Sequence, residues 1–226
     1  MQESDDILYK DRSDQQNRDR DYSYFFIFIL CAIVVQLLFL NPTSFNEMVK
    51  KEVKASYAAI GENNWLNVTE SSKRHFELII VKTGFKKYYL DKVTRDTVDT
   101  NPIAKMFKKL MPVVKRFSNN LQIVTYQLAH RTNLLGVWIY ILVPFILSQL
   151  VAGIYQWKIR AYTFGNKTKA KMLVIKKVIK LLMLLIILYF FLPCFYPEVA
   201  AYIPFLAIMS MSLLTTKFIA TAQKHW

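Results

Sequence analysis

The sequence predicts an all-α, polytopic membrane protein with about four transmembrane helices and a helical extracytoplasmic insert. Three observations support this fold class. Hydrophobic residues make up 54% of the 226 residues. Charged residues are excluded from several long stretches, and they concentrate in the segments between those stretches. This segregation is typical of a chain whose apolar runs lie in hydrocarbon and whose charged segments lie in water.

The amino-terminal segment predicts a tail followed by one span. Residues 1–21 carry seven acidic and four basic residues and contain few apolar ones. A segment with so few apolar groups to bury is predicted to be a mobile cytoplasmic tail. Residues 24–40 contain no charge over 17 positions, which is close to the minimum for a helix that crosses the hydrocarbon core. Extended by two residues, this run predicts a first transmembrane helix over 22–40.

The next segment, residues 41–132, predicts a helical domain on the extracytoplasmic side. It holds 16 of the 30 basic residues together with eight acids. Ser44 and Glu47 have the spacing of a capping box, which predicts a helix start at Ser44. Gly61 and Gly84 are expected at helix ends, because glycine readily adopts the left-handed conformation found there.

The end of this insert predicts an amphipathic helix. Apolar residues from Ile103 to Phe117 recur at intervals of three and four, whereas most lysines of the same stretch lie on another face. Two interpretations are open. The apolar face packs in the core of the insert, or it docks on a membrane surface or a partner helix.

Three further runs, uncharged over 133–155, 181–197 and 199–216, predict the remaining spans. The predicted second transmembrane helix covers 133–156, the third covers 181–197 and the fourth covers 198–218. Pro197 and Glu198 mark a tight turn between the last two, because proline ends a helix and a charge resists hydrocarbon. The last two spans are therefore predicted to form a helical hairpin.

The orientation follows from residues 157–180, predicted as a basic cytoplasmic loop and the start of the third helix. They contain eight Lys or Arg and no acid, which the positive-inside rule assigns to the cytoplasm. Counting helices outward from this loop places both termini, including the end segment 219–226, in the cytoplasm. The insert then lies on the opposite face.

This loop also supplies the candidate contact site. Basic residues beside apolar runs favour anionic lipid or an acidic protein partner over nucleic acid, although the net charge of +14 would suit nucleic acid as well. A simpler interpretation is that these residues only determine topology. No direct nucleic-acid contact is expected. The candidate residues are Lys158, Arg160, Lys167, Lys169, Lys171, Lys176 and Lys177.

No catalytic, cofactor-binding or metal-binding residues are predicted, and the chain is not expected to be an enzyme. The three histidines lack the spacing of metal ligands, and both cysteines fall in apolar runs. The five glycines form no phosphate-binding or dinucleotide-binding motif. The spans hold no ionisable group at mid-depth, which argues against a transporter. An oligomeric pore or transport protein is the alternative to a protein that acts by assembly.

A set of loose features in the second half carries a resemblance. It comprises Arg131 before the second span, Pro144 within it, Gly153 leading into Trp157-Lys158-Ile159-Arg160, the basic loop, and Pro193 and Pro204 in the final helix pair. In these features the chain resembles a family of inner-membrane proteins encoded by conjugative plasmids and integrating conjugative elements. It departs from the family at Ala152, where an acid is common.

The resemblance implies a function and a location. It implies an accessory or scaffold protein of a conjugation or type IV secretion apparatus, multi-pass in the bacterial inner (plasma) membrane and near the coupling ATPase that feeds DNA to the channel. The implied partners are membrane lipids and other membrane proteins of the complex, and self-association into an oligomer is compatible with it. No catalytic residue is carried over.

Overall fold

The computed structural model describes residues 27–82, 84, 102–162, 169–193 and 196–221, with side chains except at 102–110, 161–162 and 169–171. Across this part of the chain the regular structure is helical and no β-strand occurs. The predicted all-α class is therefore confirmed. The predicted tail over 1–21, the loop residue Lys167 and the last five residues lie outside the described residues.

The described helices differ greatly in length. In chain order they are α1 (Ile27–Phe39), α2 (Pro42–Ile60), α3 (Glu62–Glu77), α4 (Pro102–Tyr162), α5 (Lys169–Phe191), α6 (Pro197–Ala200) and α7 (Ile203–Thr221). A π-helical turn, Leu78–Lys82, continues α3. With 61 residues, α4 is about 90 Å long at 1.5 Å per residue, far more than one membrane crossing requires.

The ends of α2 are set by local chemistry. The helix begins at Pro42 rather than at the predicted Ser44, because Asn41 supplies the cap: its Oδ1 accepts hydrogen bonds from the backbone nitrogen of Thr43 at 3.2 Å and from the Thr43 hydroxyl at 2.9 Å. Proline suits the first helical position because it needs no hydrogen-bond acceptor there. The helix ends at Gly61 with φ +78°, as predicted.

The first two helices meet at a sharp bend. Between α1 and α2 the direction of the chain changes by 114°. A small apolar cluster fills the inside of this corner, where Leu37, Phe45, Val49 and Val124 are buried together. The corner is thus closed against the middle of α4.

The predicted boundary between the insert and the second span falls inside α4. This helix runs without interruption from Pro102 to Tyr162 and passes through Pro112 and Pro144. Its first part packs against α2 and α3, and its later part packs against α7. A single continuous helix therefore connects the insert with the remaining helices.

The carboxyl-terminal part of the chain is a bundle of α4, α5 and α7. The indole nitrogen of Trp138 donates to the Ala201 carbonyl at 3.2 Å, near the start of α7. Arg160 donates to the Ala220 carbonyl at 3.2 Å, near its end. α7 therefore runs parallel to α4, in the same direction, from Trp138 to Arg160. α5 packs mainly on α7 and touches α4 less.

Two described helices are long and apolar enough to cross a membrane, the segment Met111–Arg160 of α4 and the helix α7. The number of candidate spans rises to three if the bent pair of α1 and α2 is counted as one span. α5 carries Lys176, Lys177 and Lys180 within its length, which places three charges in the stretch that would cross. It ends at Phe191, short of the predicted end of the third span at 197, and α6 with a turn interrupts the predicted fourth span.

Candidate functional site: a buried ion pair between the insert and the bundle

A charged pair lies where the insert meets the helix bundle. Glu52 belongs to α2, whose buried face is formed by Phe45, Val49, Glu52, Ser56 and Ile60. These positions follow one another at intervals of three and four, so that they form one stripe on the helix. The carboxylate therefore occupies a position in an otherwise small or apolar stripe that faces α4.

The partner of this carboxylate is Arg131 of α4. Its Nε donates to Glu52 Oε1 at 2.6 Å, and its Nη2 donates to Oε2 at 2.7 Å. The arginine side chain is fully buried and that of the glutamate is 3% exposed. This is the two-pronged arrangement in which the planar guanidinium matches a carboxylate, with gain in both energy and orientation. Gln127 adds a third hydrogen bond to Glu52, at 3.3 Å.

The remaining nitrogen of the guanidinium binds the end of α5. Arg131 Nη1 donates to the carbonyls of Leu192, at 2.8 Å, and of Tyr189. The guanidinium carbon also lies 4.5 Å from the centre of the Tyr189 ring, a favourable position for a cation over an aromatic face. Carbonyls at the carboxyl end of a helix lack partners within the helix and carry partial negative charge. One arginine thus joins α2, α4 and α5.

Further polar contacts surround the pair on the side of the insert. Ser56 and His130 are both buried, and the hydroxyl oxygen lies 3.3 Å from Nε2 of the imidazole. Asn133 donates to the hydroxyl of Ser72 at 3.1 Å, which links α4 to α3. The buried polar groups are therefore spread along one side of α4 and fix the register of the insert on this helix.

The arrangement favours a structural role over a chemical one. Both carboxylate oxygens of Glu52 and all three nitrogens of the Arg131 guanidinium have hydrogen-bond partners. A satisfied, buried pair holds a geometry and has no free group to offer a substrate. Within the described residues, no group of three or more His, Cys, Asp or Glu is placed to hold a metal ion.

The predicted contact residues that the structure describes lie at the opposite end of the bundle. Lys158 and Arg160 are exposed on the last turns of α4, and Lys176 and Lys177 are exposed on α5. Arg160 also binds the carbonyl end of α7, where a cation is favoured by the partial charges of the helix end. Lys169 and Lys171 belong to α5, and their side chains lie outside the described part. The site remains a prediction.

In the sequence Arg131 stands out only as a feature that precedes the predicted second span, and Glu52 does not stand out. A signal for the glutamate was present, because an acid replaces an apolar residue in the stripe of Phe45, Val49 and Ile60. Its partner stands 79 positions away in the sequence. No local pattern connects two residues at that distance, so the pairing required the fold.

Comparison with known proteins identifies one family. No curated protein and no solved structure gives a significant match. The family model described as "IncC plasmid conjugative DNA transfer protein DtrJ-like" matches residues 26–219. The match confirms the association with conjugative plasmids, and it extends over the insert as well as the bundle. The chain belongs to this DtrJ-like family of conjugative DNA transfer proteins.

Proposed function

We propose that the chain is an integral inner-membrane component of the conjugation apparatus, and that it acts by assembly with other membrane proteins rather than by catalysis. Family membership supports a role in conjugative DNA transfer. The location, the scaffold role and the absence of catalysis go beyond that finding. The surface of the bundle supports the membrane location.

The observation that carries the proposal is the inverted distribution of polar and apolar side chains in the bundle. Large apolar residues are exposed along α4, α5 and α7; examples are Leu147, Ile159, Leu173, Leu185 and Leu206, all more than half exposed. Between the helices, by contrast, the Thr216 hydroxyl binds the Gln149 carbonyl at 2.9 Å. An apolar outside around polar interhelical contacts suits a lipid surrounding and is unfavourable in water.

In this proposal the insert and the basic end of the bundle face opposite sides of the membrane. The basic end, with Lys158, Arg160, Lys176 and Lys177, lies in the cytoplasm beside anionic lipid and the acidic surface of a partner. The coupling ATPase of the secretion apparatus is the proposed partner there. The insert, held by the Glu52–Arg131 pair, contacts envelope components of the same apparatus.

The test uses donor cells that carry the whole conjugative element. Deletion of the gene is expected to lower transfer to recipients, and expression of the wild-type chain in trans is expected to restore it. After alkaline carbonate treatment the chain should stay with the membrane fraction. Purification in mild detergent should recover other proteins of the apparatus together with it. Recovery of the isolated chain alone, or its release by carbonate, would contradict the proposal.

The alternative of an oligomeric pore or transport protein is tested with the purified chain. Reconstituted into liposomes, it is expected to produce no ion flux above that of empty liposomes. A flux that depends on the chain would favour the pore. The same preparation provides the oligomeric state in detergent, which bears on both proposals.

A further inference from the structure

A charged cleft of about 650 Å³ opens between α2 and the turn that leads into α7. This volume lies within the range of about 300 to 1,000 Å³ that small-molecule sites occupy. One wall carries Lys51 and Lys54, which follow each other at helical spacing on the exposed side of α2. The other wall is formed by Tyr196, Pro197, Glu198 and Val199.

The charges in this cleft are not paired with each other. Among the described side chains, the carboxylate of Glu198 has neither lysine nitrogen within 4.0 Å, and the ion pair that the structure does contain is Glu52–Arg131. Two cations therefore face one anion across the cleft. A ligand that complements this pattern carries a negative group toward Lys51 and Lys54 and a positive group toward Glu198.

The surroundings of the cleft indicate where such a ligand comes from. Tyr196 is 75% exposed, and Val199 and Tyr202 are also exposed. Exposed tyrosines beside apolar residues are characteristic of the boundary between headgroups and hydrocarbon. In the proposed topology this turn lies at the extracytoplasmic face of the membrane, so the cleft is at headgroup depth and its apolar rim faces acyl chains.

We propose that the cleft binds a phospholipid of the extracytoplasmic leaflet whose headgroup carries a phosphate and a primary amine, as phosphatidylethanolamine does. The phosphate accepts hydrogen bonds from Lys51 and Lys54, and the ammonium group donates to Glu198. The acyl chains lie along Tyr196 and Val199. The lipid then bridges the insert and the turn of the helical hairpin, on the surface above the buried Glu52–Arg131 pair. This inference rests on the proposed membrane location.

The experiment compares headgroups on the full-length chain in mild detergent. Phosphatidylethanolamine, its N-methyl and N,N-dimethyl derivatives, phosphatidylcholine and phosphatidylglycerol are added at equal acyl composition, and lipid bound to the chain is measured by native mass spectrometry. Each methyl group removes one N–H donor, so affinity is expected to fall along the series, by about tenfold overall. Equal binding of phosphatidylethanolamine and phosphatidylcholine, or tighter binding of phosphatidylglycerol, would overturn the proposal.

Variants test which wall of the cleft binds the amine and which binds the phosphate. Glu198→Gln is expected to remove the preference for the primary amine. The double variant Lys51→Gln and Lys54→Gln is expected to lower the affinity for every phospholipid of the series by about tenfold. The control is Lys73→Gln with Lys115→Gln, which removes the same charge from exposed positions outside the cleft. A loss of the same size in the control would overturn the assignment.

Two further results separate the possible failures. Free phosphoethanolamine at the same concentrations is expected to bind far more weakly than the lipid, because it lacks acyl chains; equal binding would contradict a lipid ligand. The headgroup series needs only the wild-type chain, so it tests the preference for a primary amine even if a variant misfolds. A chain that resists carbonate but does not distinguish headgroups refutes this inference and leaves the proposed function intact.

Discussion

Arg131 binds Glu52 through two hydrogen bonds, of 2.6 and 2.7 Å, and in the same geometry binds the last carbonyls of α5. The arginine is the point where the insert, the long helix and the hairpin meet. A movement of α2 relative to α4 therefore has to break either the ion pair or the contact with α5. We infer that insert and bundle move as one body unless this contact is released.

Removal of one partner is expected to be far more harmful than removal of both. Arg131→Met leaves the Glu52 carboxylate buried without a cation, and we expect the free energy of unfolding to fall by about 3 to 5 kcal/mol. Glu52→Leu combined with Arg131→Met leaves no buried charge and should restore much of this loss. Unfolding in detergent, followed by tryptophan fluorescence, measures the difference. Lys50→Met on the exposed side of α2 is the control, with a change within about 0.5 kcal/mol. A double variant less stable than Arg131→Met would contradict the account.

The contact between α4 and α7 depends on the absence of a side chain at Gly153. A Cβ built there would lie 3.3 Å from both Cα and the carbonyl oxygen of Thr216, and backbone atoms cannot give way as a flexible side chain does. Gly153→Ala is expected to lower the free energy of unfolding by about 1 to 3 kcal/mol. Gly136→Ala, in the same helix, would place a Cβ that meets no atom within 4 Å apart from the adjacent backbone of its own helix, and it should be neutral or stabilising. Similar losses for the two variants would show that helix packing is not the cause.

Two adjacent threonines of α7 allow the interhelical hydrogen bond to be measured. Thr216 binds Gln149 of α4 as well as its own helix, whereas the Thr215 hydroxyl donates to Met211 within α7 at 2.8 Å. Thr216→Val is expected to reduce stability in detergent by about 0.6 kcal/mol more than Thr215→Val does. Equal effects of the two substitutions on the melting temperature would mean that the contact with Gln149 contributes nothing.

Asn120 fixes the end of α1 to α4. Its Nδ2 donates to the carbonyls of Leu37, at 3.0 Å, and Leu40, at 2.9 Å. Asn120→Asp removes this donor and places a negative charge beside the negative end of a helix. We expect faster amide hydrogen exchange in α1, with a destabilisation of about 1 to 3 kcal/mol. Asn119→Asp changes the exposed neighbour and should leave α1 exchange unchanged. Slow exchange of α1 in both variants would refute the role of Asn120.

The local features of the fold were predictable, and the contacts between distant segments were not. Apolar periodicity and uncharged runs indicated helices, and Gly61 ends α2 as its type suggested. The start of α2 was predicted wrongly at Ser44, because Asn41 competes as a cap and Pro42 fits the first turn. The sequence also predicted a boundary between two segments near Asn133, where α4 in fact continues without a break. The change there from polar to apolar residues marks a change in the surroundings of the helix. It does not require the helix to end.

The functional residues also divide into those that are visible in the sequence and those that only the fold brings together. The basic residues at the far end of the bundle are visible in the sequence because they are clustered along it. The Glu52–Arg131 pair is not, because it is assembled from an isolated acid in α2 and an arginine of α4. The bend of 114° between α1 and α2 likewise encloses an apolar corner around Phe45 to which Val124 of α4, distant in sequence, contributes. Tertiary burial, rather than local propensity, decides both.

In the proposed topology the bundle crosses the membrane, and the insert and the basic end lie on opposite faces. In a chain with Cys31→Ser and Cys194→Ser, single cysteines are placed at Glu62 in the insert and at Lys158 at the basic end, both exposed positions. Labelling of spheroplasts with a membrane-impermeant maleimide tests the claim. We predict that Glu62→Cys reacts in intact spheroplasts and that Lys158→Cys reacts only after the membrane is opened. Equal reaction of both before lysis, or reaction of Lys158→Cys alone, would contradict the claim.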